Sequence, residues 1–293
     1  MPHLFGIDGG GTNCRAAVAD PAGRILGRGR SGAANIMTDP DGALESIVTA
    51  ARTACEDAGL PPDTVAEGTA VLGLAGANIG DFGPRIEARL PFRAARVETD
   101  AMTALHGALG EHDGAVAIVG TGSVFIARRG DEIRTVGGWG FMVGDLGSGA
   151  RVGRALLQEA LLAHDGVHKG SALTDEVLKR FDGNPQSLVE YAHMARPGEF
   201  GTFASLVFDH AARGDPIGRS RVEGAVRSVE EALDAIMPPG CERLCLLGGL
   251  AGRYRESLGA RYRAALCDPL GDALAGAIAL ARQHAGRTEA VGG

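Results

Sequence analysis

Apolar and polar positions divide the 293-residue chain into short strands and longer helices, and one such pattern occurs twice. Residues 5–8 form a brief apolar run that ends in the carboxylate of Asp8. Gly9-Gly10-Gly11-Thr12-Asn13 interrupts it, and Arg15 then heads a second apolar run, Ala16 to Ala19. Arg24 to Arg28 is a third run after the Ala22-Gly23 turn, so the opening predicts strand, tight turn, strand, turn, strand. Asp41 to Gly59 carries Leu44, Ile47, Val48, Ala51, Ala54 and Cys55 at helical spacing and stops before Pro61-Pro62. Ala70 to Leu74 predicts a buried strand, Asp81 to Leu90 a short helix, Ala94 to Glu98 a strand and Ala101 to Leu109 a helix. This order predicts a mixed sheet with helices packed on it.

The pattern then restarts. Ala115 to Val119, the turn Gly120-Thr121-Gly122-Ser123, Val124 to Arg128, the turn Gly130-Asp131 and Ile133 to Val136 again read strand, turn, strand, turn, strand. The two openings predict an internal repeat of two half-molecules, whose cleft would hold one ligand between two glycine turns. A glycine-dense stretch, 137–149, precedes a helix from Ala150 to His164. Residues 171–237 read as helical, broken at Asn184-Pro185, Arg196-Pro197-Gly198 and Asp215-Pro216. Arg243 to Leu247 predicts a strand, as does Ala260 to Cys267, ending near Leu266. Gly271 to Gln283 predicts an Ala-rich helix containing Gly276, with a frayed tail from Gly286.

Apolar residues make up 45% of the chain, enough for a sizeable core in each half. Glycine is 46 of 293 with no collagen period, which assigns the excess to turns and ligand loops. The net charge of −7 argues against a nucleic-acid or anionic-membrane surface. No apolar run approaches the ~20 residues of a membrane span. The five cysteines lack CxxC spacing and Met1-Pro2-His3-Leu4 has no secretory pattern, so they read as reduced thiols of a cytoplasmic protein.

Three glycines between Asp8 and Thr12-Asn13 let backbone amides close on an anion, with Asp8 able to hold a divalent cation beside it. Phosphate plus Mg²⁺ is the resulting expectation. Asp100 stands at the carboxyl end of a predicted strand, where open α/β sheets place their ligand sites. It would take a proton from a substrate hydroxyl attacking phosphorus, or else cap the helix that follows. Asp145 reads as a sugar-hydroxyl ligand, a cation aid or a turn residue. Asn35 reads as a polyol ligand or turn residue, and Trp139 as a pocket wall or a core residue. Gly248-Gly249-Leu250-Ala251 would let backbone approach a nucleobase or ribose, or simply turn the chain. His164 and His168 have ligand spacing, but the residues between them form a poor helix.

Together these motifs resemble the sugar kinase/heat-shock-protein-70/actin superfamily: Asp8-Gly-Gly-Gly-Thr-Asn its first phosphate motif, Gly120-Thr-Gly-Ser its second, Gly248-Gly-Leu-Ala its adenosine motif and the helix with Gly276 its second connecting helix. Leu74-Ala75-Gly76, Glu98-Thr99-Asp100-Ala101 and the string Gly137-Gly-Trp-Gly-Phe with Gly144-Asp145 and Gly147-Ser-Gly149 resemble the N-acetylglucosamine kinase branch. That branch includes bacterial glucosamine kinases and lies in the BadF/BadG/BcrA/BcrD ATPase group. The resemblance implies an α/β fold of two ribonuclease H-like (actin-like ATPase) domains with mixed five-stranded sheets and a cleft between them. The first would span 1–112 with the helix 270–285, the second 113–269 with a helical insertion.

The roles it implies are ATP and phosphate binding by Gly10, Gly11, Thr12, Asn13, Gly120, Thr121, Gly122 and Gly249, and Mg²⁺ positioning by Asp8, through water. Asp100 would be the base for a sugar 6-hydroxyl, with Asn35, Asp100, Gly138, Trp139 and Asp145 about the sugar. The expected activity is ATP-dependent phosphorylation of glucosamine or N-acetylglucosamine. The partners are a small-molecule amino sugar and no nucleic acid or membrane, with a homodimer compatible with the helical part of the second domain. The alternatives are an ATPase that activates a partner enzyme, as the related dehydratase activators do, and a non-catalytic sugar sensor of kinase fold. Residues 101–138 contain no Cys for the activators' iron–sulfur cluster, and no Cys-rich zinc motif of the repressor/open-reading-frame/kinase family is present.

Overall fold

The computed structural model describes residues 2–291. In chain order the elements are β1 (Leu4–Gly9), β2 (Cys14–Ala19), β3 (Ile25–Ser31), α1 (Pro40–Asp57), α2 (Thr64–Glu67), β4 (Thr69–Leu74), α3 (Phe82–Glu87), β5 (Ala94–Thr99), α4 (Asp100–Leu109), β6 (Gly114–Val119), β7 (Ser123–Arg129) and β8 (Glu132–Gly137). Then follow α5 (Gly149–His164), α6 (Ala172–Lys179), α7 (Pro185–Met194), α8 (Pro197–Gly201), α9 (Ala204–Ala212), α10 (Pro216–Ile236), β9 (Leu244–Leu247), α11 (Ala251–Arg255), α12 (Ala260–Ala265) and α13 (Ala273–Val291). They form two compact units: one runs to His112 and takes up the chain again at Asp268, the other spans Asp113–Cys267.

The first unit is built on a five-stranded sheet ordered β3-β2-β1-β4-β5. β1, β2 and β3 are antiparallel neighbours, while β4 and β5 run parallel to β1. The pleat sends alternate side chains to opposite faces. Phe5 and Ile7 join Ile47, Ala50 and Ala54 of α1 on one face. Leu4, Ala17 and Val71 meet Leu274, Ile278 and Ala281 of α13 on the other. α1 starts where Asp39 caps Gly42 N at 3.0 Å and Pro40 takes the first helical position.

Because β1, β4 and β5 share a direction, Gly9, Leu74 and Thr99 end on one line across the sheet. The loops that follow them collect at that edge. Ala75 N donates to Gly9 O at 2.9 Å, and Ala34 N donates to Gly10 O at 2.9 Å.

The second unit carries a sheet ordered β8-β7-β6-β9, with β9 parallel to β6. Here the structure corrects two expectations. The sheet has four strands rather than five, and Ala260–Ala265 is a helix. What remains of the expected strand is one parallel bridge, Leu244 to Leu266. α12 turns Tyr262 and Ala265 into the core, an i, i+3 spacing that shares one face of a helix but would point to opposite faces of a strand. The helical region begins new helices at Pro185, Pro197 and Pro216, where a missing N–H costs nothing. α13 runs on to Val291, so the helix continues past Gly286, and the last two residues lie outside the described ones. Among the described residues no helix is long and apolar enough to cross a membrane.

Candidate functional site

In the first unit the Gly9–Asn13 connection is a tight turn in which Gly10 N donates to Asn13 O at 3.0 Å. Gly11, Thr12 and Asn13 are exposed, and the amides of Gly11 and Thr12 donate to no protein acceptor among the described residues. That is a set of open N–H groups at a sheet edge, suited to an anion.

Asp8 sits one residue before the turn. Its Oδ2 accepts from Arg15 Nη2 at 2.6 Å and Nε at 3.1 Å, while Oδ1 accepts no hydrogen bond among the described residues. Among the described residues no three His, Cys, Asp or Glu side chains gather as an all-protein metal cage. A single carboxylate oxygen beside open amides is instead the donor set suited to Mg²⁺, which keeps several waters and substrate phosphates.

Asp100 opens α4, two strands from β1 and therefore about 10 Å away across the sheet. The helix cap is Thr99, whose hydroxyl accepts from Met102 N at 3.2 Å. The capping explanation for Asp100 is thereby removed. Its carboxylate accepts from Ala101 N at 2.8 Å. Burial holds its pKa above the ordinary carboxylate range, and the Asp8 charge pushes the same way against the Ala101 hydrogen bond.

Asn35 forms an Asx turn in the neighbouring loop. Its Oδ1 accepts from Met37 N at 3.0 Å and Thr38 N at 3.2 Å, which leaves the amide nitrogen as a donor with no partner among the described residues.

In the second unit Gly120-Thr121-Gly122 is a closed turn, with Gly120 N donating to Gly122 O at 2.9 Å. Its carbonyls are taken by the start of α5, through Gly149 N to Gly120 O at 2.8 Å and Ala150 N to Thr121 O at 3.1 Å. The Gly248–Ala251 turn leans on the same place through Leu250 N to Val119 O at 3.0 Å. Both glycine turns of this unit are thus held as one piece, with Gly249 N beside Gly120.

The 137–149 loop needs its glycines: Gly138 and Gly140 lie at φ 73° and 82°, a region costly for other residues. Trp139 is 66% exposed, which rules out the core alternative for this ring. Asp145 is 6% exposed and itself at φ 61°. Its Oδ1 accepts from Ser123 N at 3.2 Å, and burial pushes its carboxyl above the usual range. The candidate sugar residues are therefore divided, Asn35 and Asp100 in the first unit and Gly138, Trp139 and Asp145 in the second.

Asp145→Ala should raise the KM for ATP about tenfold, because a hydrogen bond to a charged group that props the Gly120–Ser123 turn is worth ~1.5–3 kcal/mol. A rise in the sugar KM alone would show that the Oδ1–Ser123 bond does not support the nucleotide turn.

His168 Nδ1 lies 2.8 Å from Glu159 Oε1, and among the described residues no three candidate ligands gather around it. Several residues escaped the sequence reading. Thr99 was hidden by the stronger signal of Asp100. Tyr254, buried and bonded through its hydroxyl to Gly147 O, holds the glycine string from 107 residues away. Arg15 was legible only as the start of a strand.

With this geometry in place, comparison with known proteins is decisive at the level of family. Residues 5–263 match the BadF/BadG/BcrA/BcrD ATPase family. The chain belongs to that family. It is 38% identical over 283 residues to the glucosamine kinase of Vibrio cholerae, covering 96% of both chains. It is 25% identical over 254 residues to the N-acetyl-D-glucosamine kinase of Dictyostelium discoideum, covering 80% of this chain and 79% of the other. A solved structure from Chromobacterium violaceum, assigned as an N-acetylglucosamine kinase, superposes with a TM-score of 0.88 at 31% identity over 96% of this chain and 99% of that one. This match supports the α/β architecture with two mixed sheets that the family resemblance implied.

Proposed function

We propose that this member of the family is an ATP-dependent amino-sugar kinase that phosphorylates the 6-hydroxyl of glucosamine or N-acetylglucosamine. The observation that carries the reading is the end-to-end similarity to a glucosamine kinase, at 38% identity. Asp100 adds to it, as a partly buried carboxylate freed from capping by Thr99. Its raised pKa suits a group that must accept a proton while oxygen attacks phosphorus.

In this reading the Gly10–Asn13 turn, with the open amides of Gly11 and Thr12, and the Gly120–Gly122 turn stabilise phosphate charge. Gly249 lets backbone lie against the adenosine. Asp8 would hold Mg²⁺ through water by its unengaged Oδ1, and the cation would supply charge neutralisation on the phosphates. Asn35 would donate its amide nitrogen to a sugar hydroxyl, with Gly138, Trp139 and Asp145 belonging to the sugar's surroundings. Of the two sugars the free amine is the better supported, since identity to the glucosamine kinase exceeds that to the N-acetylglucosamine kinase.

The test is ADP release from Mg-ATP with glucosamine, N-acetylglucosamine, glucose or no sugar. Glucosamine should stimulate turnover most. Equal ADP release without sugar would replace the kinase by an ATPase that drives a partner protein.

A further inference from the structure

We infer that Arg15 is a positioning residue of the phosphoryl-transfer site, fixing Asp8 by one carboxylate oxygen while Asp272 fixes Arg15 from behind. This rests on the kinase reading above and adds to it a residue to which no role has been given.

The hairpin register makes Asp8 and Arg15 direct cross-strand partners. Arg15 spends Nε and Nη2 on the same atom, Asp8 Oδ2, at 3.1 and 2.6 Å. The other oxygen of Asp8 accepts no hydrogen bond among the described residues. The third nitrogen, Nη1, reaches Asp272 Oδ2 at 3.3 Å. Asp272 cannot drift, because its Oδ1 accepts from Ala275 N at 3.0 Å and its carbonyl accepts from Gly276 N at 3.1 Å, at the head of α13. A planar guanidinium can hold two carboxylates in fixed directions, whereas an ammonium is a point charge on a flexible stem.

Stability does not account for the arrangement. Arg15 and Asp8 are each partly exposed, at 32% and 22% for their side chains, where such pairs contribute ~0–1 kcal/mol. Three of the five guanidinium N–H donors are directed at the two carboxylates. The triad therefore leaves Asp8, beside the first phosphate turn, with one oxygen held by Arg15 and the other unengaged. A misplaced group at such a site costs rate rather than ground-state binding.

The experiment compares the unaltered protein with Arg15→Gln, Arg15→Lys and Asp272→Asn. It measures kcat and both KM values, and separately titrates Mn²⁺ in the presence of ADP by electron paramagnetic resonance. Arg15→Gln should lower kcat by about 10–100-fold, the usual cost of removing a group that orients a metal-site ligand. Sugar and ATP KM should stay within about threefold. Mn²⁺ with ADP should bind no more weakly than to the unaltered protein, because a neighbouring positive charge has been removed. Arg15→Lys should recover little of the rate, and Asp272→Asn should show the same pattern with a smaller loss.

A kcat within threefold of normal overturns the inference. So does a loss confined to ADP and Mn²⁺ binding, which would make Arg15 a nucleotide ligand, or one explained wholly by a smaller folded fraction. Absence of sugar-stimulated turnover in the unaltered protein is a separate result that removes the kinase reading as well.

Discussion

Asp100→Asn should lower sugar-stimulated ADP release by about 10²-fold or more and leave the folded protein at least as heat-stable at neutral pH. The first half follows from the contribution of a positioned base, ~10²–10⁴-fold. Asparagine keeps the size and the acceptor for Ala101 N but cannot take a proton. The second half follows from the direction of the pKa shift. Burial, aided by the Asp8 charge, makes the native state hold the Asp100 proton more tightly than the unfolded chain does. Stability from this group is therefore greatest below the ordinary carboxylate pKa. It is lost as pH rises from that value through the raised one, because the native state must then carry the charge. Asparagine carries none. The unaltered enzyme should also lose activity on the acid side as pH falls through the raised value, when the base becomes protonated. Thermal unfolding at neutral pH and a pH–rate profile check both halves. A variant that is both inactive and markedly less stable would mean that Asp100 is a structural residue.

The largest structural effect is expected at Gly276. A Cβ there would lie 2.0 Å from Thr103 O and 2.4 Å from Gly107 N, both backbone atoms of α4 that cannot rotate away. Gly107 is equally tight, its own Cβ position falling 2.0 Å from Asp272 O. The two helices cross backbone to backbone, and neither admits a methyl group. Gly276→Ala gains up to ~1 kcal/mol of helix propensity, but overpacking costs ~1–3 kcal/mol and more where backbone must move. For α13 to lift away, Leu274 and Ile278 must also leave Leu4, Ala17 and Val71. A net loss of about 2 kcal/mol or more is expected, a fall of roughly 5–10 °C in melting temperature, and Gly276→Val should be worse. An unchanged melting temperature for Gly276→Ala would show that α13 is not seated as described. The same lift would move Asp272, so the kcat of any folded variant should fall with it.

Much of this architecture was legible before any coordinates. Strand–turn–strand repeats, the helix at α1 and the proline-headed helices follow from local periodicity and local turn chemistry, which act over a few residues. The glycine strings were legible as loops for the same reason, since φ values such as those of Gly138 and Gly140 exclude nearly every other side chain. Asp100 stood out because a carboxylate at the end of an apolar run is conspicuous wherever it occurs.

Burial and partner choice were not legible. Ala260–Ala265 carries apolar residues that suit a strand or a helix turn, and only packing of Tyr262 and Ala265 into the core selected the helix. Trp139 and Asp145 are six positions apart in one glycine-rich loop, yet one faces solvent and the other lies beneath the Gly120–Ser123 turn. Arg15 and Asp272 are 257 residues apart and meet because α13 returns to cover the first sheet. The sequence by itself determined most of the elements, the glycine turns and the family. The tertiary structure alone decided which carboxylate is buried and which is held by an arginine, because those depend on contacts between segments that no local pattern records.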